Sequence, residues 1–164
     1  MLKSSTKIAA TLSLATALAL STGAFAVESQ PSVGADGIVK VKSAYPFAET
    51  IKRIEADIAA KNIKHFINVD QSKLAADAGI ALRPSTLIIF GNPPLGTQFI
   101  TSNPLAGLDW PVRLLVSQDD DGQVFAAYTD FTWIAHRHAI TDRDAQFKMA
   151  SQVIASITSR VEKH

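Results

Sequence analysis

The sequence has 164 residues, 47% of them hydrophobic and 19% charged, with 16 Lys plus Arg against 15 Asp plus Glu and a formal net charge of +1. That balance excludes a disordered chain, and eight Gly and seven Pro exclude a collagen-like or linker protein. The basic residues are scattered among nearly as many acids, so the clustered positive charge that a duplex calls for is missing and no nucleic-acid partner is expected.

In chain order, Lys3 and Lys7 precede the apolar run Ile8 to Leu20 and the small residues Ser21 to Ala26. This pattern predicts a cleavable signal peptide over residues 1–26, with Ala24 and Ala26 in the two positions a signal peptidase reads. The apolar run is short of the about 20 residues that a membrane anchor needs. The expected product is therefore secreted, periplasmic in a Gram-negative host, with no membrane contact after cleavage. Removing 26 residues from 164 leaves 138, which suits one domain. The chain has no Cys, hence no disulfide, thiol nucleophile or thiolate metal site.

Val27 to Gly37, with Pro31, Gly34 and Gly37, reads as a flexible leader, and residues 38–164 as the folded domain. Ile38 to Tyr45 alternates as a half-exposed strand. Pro46 opens a helix on which Phe47, Ile51, Ile54 and Ile58 form one stripe that ends near Asn62. Ile63 to Val69 is a second strand, and Asp70 caps a short helix that stops at Gly79. Thr86 to Phe90 is nearly all apolar, which predicts a central strand covered on both sides. Asn92 and Pro93 have the order of an N-cap and first helical residue, and Asn103-Pro104 breaks the helix they start. Pro111 to Ser117 and Gln123 to Tyr128 form a hairpin about Asp119 to Gly122. Asp130 caps a helix through Trp133, Ile134 and His138, and a last helix from about Asp142 aligns Phe147, Ala150, Ile154, Ile157 and Val161. These elements predict a single α+β domain whose antiparallel or mixed sheet is covered mainly on one face by helices.

The run Leu87-Ile88-Ile89-Phe90-Gly91-Asn92-Pro93 with Gly96-Thr97 resembles the central motif of the domain of unknown function 302 family (DUF 302). Pro111 to Val116 resembles that family's next strand, and Tyr128-Thr129-Asp130 with Ala135, Arg137 and His138 its closing helix. The resemblance covers roughly Ala44 to Ile140 and implies a compact α+β domain, often a homodimer, with no established activity. The sequence departs from the pattern at Thr129, Phe131, His136 and Ala139, the last standing where Gly is common.

No Gly-x-Gly-x-x-Gly, Walker or Gly-x-Ser-x-Gly motif is present, so no catalytic residue is identified and an enzyme is not the favoured reading. The leading expectation is a module for a small, in one version anionic, molecule, with Gly91, Asn92, Thr97, Tyr128, Asp130 and His138 as ligand-binding residues. Trp110, Trp133, Phe99 and Phe131 would be its apolar walls. At the Gly91-Asn92-Pro93 corner, backbone N–H groups at a helix start suit an anion, although a plain cap and turn is the commoner role for such residues. A second reading is a copper or zinc protein using His136 and His138 with His65 as third ligand; otherwise no cofactor is expected. Two histidines two apart on a helix point nearly opposite ways, which weighs against it. A third reading is a structural dimer.

Overall fold

The computed structural model describes residues 33–163; the expected signal peptide and the leader as far as residue 32 lie outside the described residues. Val33 to Gly37 turn back on the first strand, with Val33 bridged to Val39. The chain then runs β1 (Ile38–Lys42), α1 (Phe47–Ala60), β2 (Lys64–Asp70), α2 (Gln71–Asp77), β3 (Ser85–Gly91) and α3 (Pro93–Ser102). A 3-10 turn (Pro104–Leu108) leads to β4 (Val112–Gln118), β5 (Val124–Thr129), α4 (Phe131–Arg137) and α5 (Asp144–Ser159).

The five strands form one open antiparallel sheet in the order β1-β5-β4-β3-β2. Strand alternation sorts side chains onto two faces. Val39, Val41, Ile88, Phe90, Leu114 and Ala126 are buried on the helix side, against Ile54 and Ile58 of α1 and Ile154 and Ile157 of α5. On the other face Lys40, Lys42 and Arg113 are exposed, and Leu87, Ile89, Leu115 and Phe125 are only half-buried. The helices therefore cover mainly one face of an α+β domain.

This corrects the expectation that Thr86 to Phe90 is covered on both sides. β3 lies next to the edge strand β2, while β4 occupies the centre of the sheet, and the outer side chains of β3 stay half-exposed. A short apolar run has the same appearance whether its second face is covered or merely lined by other apolar residues.

Candidate functional site

An apolar cavity of about 330 Å³ lies at the end of the sheet where β3 runs into α3. Phe90 and Val112 form its floor, and Ala150, Val153 and Ile154 of α5 one wall. Trp110 and Phe131 stand opposite, their rings tilted with centroids 5.9 Å apart. Lys61, just past α1, and Asn92 supply the polar edge. Trp110 is seated by α3: residue 96 is Gly, and a Cβ there would fall inside the indole. A larger, more open depression of about 580 Å³ lies at the opposite ends of β3 and β4, near Arg83 and Gln118. Its Ser85 is already tied to Gln71 and Ser72 of α2.

Of the four aromatic residues expected as walls, Trp110 and Phe131 line the cavity. Phe99 sits behind them, edge-on to Trp110 at 5.2 Å and stacked on Phe147 at 4.1 Å. Trp133 instead packs over Gly37, whose φ is +76°, and is 41% exposed.

Gly91 and Asn92 line the cavity. Asn92 caps α3, its Oδ1 accepting from Leu95 N–H at 3.3 Å. The expected nest of free N–H groups at this corner is absent for a covalent reason. Pro93 and Pro94 have no N–H, and the third position of the helix is the one Asn92 already holds. An anion at this end of the cavity must be met by side chains.

The other four residues expected at the ligand lie elsewhere. Thr97 turns its hydroxyl back to the Pro93 carbonyl at 2.8 Å. Asp130 caps α4, accepting from Trp133 N–H at 2.9 Å, while His138 closes the far end of the same helix, so the two are held apart. Tyr128 is half-buried on β5, and burial raises its phenol pKa above 10.0; the negative charge of Asp130 adds to the effect and the Thr158 hydroxyl opposes it. His138 is buried and bonds through Nε2 to Asp109 Oδ2 at 2.6 Å.

Asp109 is the residue that sequence reasoning missed. It is 5% exposed and also accepts from Arg113 at 2.9 Å and Arg137 at 3.3 Å, so one buried carboxylate gathers three basic side chains. No motif marks it, because it stands in a loop and its histidine partner is 29 residues away. The role of Lys61 was equally hidden. Its ammonium pairs with Asp57, which is buried and also accepts from Arg160 Nε at 3.0 Å.

The three histidines named for a metal are not brought together. His65 lies on the edge strand β2 and bonds Asn68 at 2.8 Å, His136 is exposed on α4, and His138 is engaged by Asp109. Among the described residues no three His, Asp or Glu side chains converge as a metal site would require.

Over 104 residues the chain is 39% identical to the fluoride-specific ion channel FluC 1 of Brucella suis biovar 1 (strain 1330), a stretch of 63% of this chain and 41% of that one. The same identity holds for FluC 1 of Brucella abortus biovar 1 (strain 9-941), of which 38% is covered. The chain thus spans about two fifths of the length of these curated relatives. In architecture it is similar to the crystal structure of an uncharacterized conserved DUF302 protein from Bacillus stearothermophilus, with a TM-score of 0.70 at 17% identity, covering 78% of this chain and all of that one. Among the described residues no helix is long and apolar enough to cross a membrane. Residues 39–162 match the family Domain of unknown function DUF302, and the chain belongs to that family.

Proposed function

We propose that the chain is an exported binding module that holds a small, largely apolar molecule between Trp110, Phe131 and α5. The observation that supports this is the cavity itself. It measures about 330 Å³, within the range of small-molecule sites, and has apolar walls with a polar edge. Ala150 is buried and on the cavity wall, so Ala150→Leu adds bulk where the occupant would sit. The test is a thermal-shift screen of the full chain against small aromatic and aliphatic metabolites. Saturable stabilisation that is lost in Ala150→Leu supports the reading, and no stabilisation by any compound removes it. Mature protein recovered from the periplasm of a Gram-negative host with Val27 as its first residue would support export; full-length protein in the cytoplasm would count against it.

A second reading, an accessory module that works beside an ion channel, draws on the matched relatives. Those proteins are named as fluoride-specific channels, and more than half of each lies outside the shared stretch. Under this reading, cells that lack the gene change in fluoride tolerance; unchanged growth across a fluoride series removes it.

A further inference from the structure

The polar groups on the cavity wall are of one kind. Lys61 offers an ammonium, Trp110 an indole N–H, and Asn92 its amide hydrogens, since Asn92 Oδ1 is committed to Leu95. Among the described residues no carboxylate lines the wall, and its one amide oxygen, Asn92 Oδ1, already accepts from Leu95 N–H. Lys61 is the one charged residue among the described residues that line the cavity, and the Asp57 carboxylate it pairs with is shared with Arg160 in a neighbouring depression. Backbone N–H groups cannot do the same work, because Pro93 and Pro94 occupy the start of α3. Trp110 and Phe131 both line the cavity and supply its aromatic surface.

We infer that the occupant is a compact aromatic carboxylate, its ring packed between the Trp110–Phe131 pair on one side and α5 on the other, and its carboxylate at Lys61 Nζ and the Asn92 amide. The inference rests on the cavity being a binding site. A volume of about 330 Å³ stands at the low end of small-molecule sites, which suits a compact occupant such as one substituted benzene ring with its acid group.

The experiment titrates the full chain with 4-ethylbenzoate, 4-ethylbenzamide and ethylbenzene at neutral pH. A charge-assisted contact favours 4-ethylbenzoate over 4-ethylbenzamide by about tenfold in Kd. Lys61→Met abolishes that preference and leaves ethylbenzene binding as it was, which also reports that the variant is folded; Lys61→Arg keeps the preference. Equal Kd values for acid and amide, or a preference that survives in Lys61→Met, overturn the carboxylate while leaving the cavity reading standing. Failure of all three compounds to bind overturns both.

Discussion

Gly96 lies directly beneath the indole of Trp110, so close that residue 96 has no room for a Cβ. Ala is the better helix former by about 1 kcal/mol, yet here the added methyl must expel an indole that packs on Phe99 and Phe131. Overpacking of this kind costs about 1–3 kcal/mol, so Gly96→Ala is expected to lower stability despite its helix propensity. Urea unfolding and the tryptophan emission maximum check this. An unchanged midpoint with unchanged emission would contradict the seating of Trp110.

Asp109 binds His138, Arg113 and Arg137 while almost fully buried. Asp109→Ala leaves a buried imidazole without its partner and two guanidinium groups crowded together. A loss of about 3–5 kcal/mol is expected, as for other buried pairs broken on one side. Asp109→Asn keeps the shape and an acceptor oxygen and should lose less. Equilibrium denaturation of the two variants gives the comparison.

Ala139 stands at φ +49°, just past the end of α4, where its N–H bonds the His136 carbonyl. A left-handed backbone costs a residue with a Cβ about 1–2 kcal/mol and costs Gly almost nothing. Ala139→Gly is therefore expected to raise stability by about 1 kcal/mol after the extra freedom of Gly in the unfolded chain is subtracted. A lower thermal midpoint would refute this.

Tyr128 couples stability to alkaline pH. Its folded pKa is raised above 10.0, chiefly by burial and then by Asp130, so the unfolded chain loses the phenol proton first as pH rises. The stabilisation is complete below about pH 10, declines above it and is gone once pH has passed the folded pKa. Tyr128→Phe removes the titrating group, and its urea midpoint should fall less between about pH 9 and pH 11 than that of the parent. Parallel declines in the two proteins would assign the effect to other groups.

Much of the fold was written locally. Asp70, Asn92 and Asp130 each accept the backbone N–H three residues on, from Lys73, Leu95 and Trp133, as their side chains predict. The stripe of Phe147, Ala150, Ile154 and Ile157 is the buried face of α5. What could not be read depends on distant partners: Asp109 finds His138 across 29 residues, and Asp57 finds Arg160 across 103. The 3-10 turn Pro104–Leu108 also escaped notice, since Asn103-Pro104 signals only that a helix ends. For the site, the strand-to-helix corner legible as Gly91-Asn92-Pro93 is where the structure places Gly91 and Asn92 on a cavity wall. Asp130 and His138 stand at the two ends of one short helix, a separation that their spacing of eight residues already implied.

The paired prolines that open α3 have one more consequence. Main-chain amides present the same donors whatever the residue, so a pocket that relies on them keeps its preference through most substitutions. Where proline has removed them, any discrimination at this corner is left to side chains, which substitution can replace one at a time.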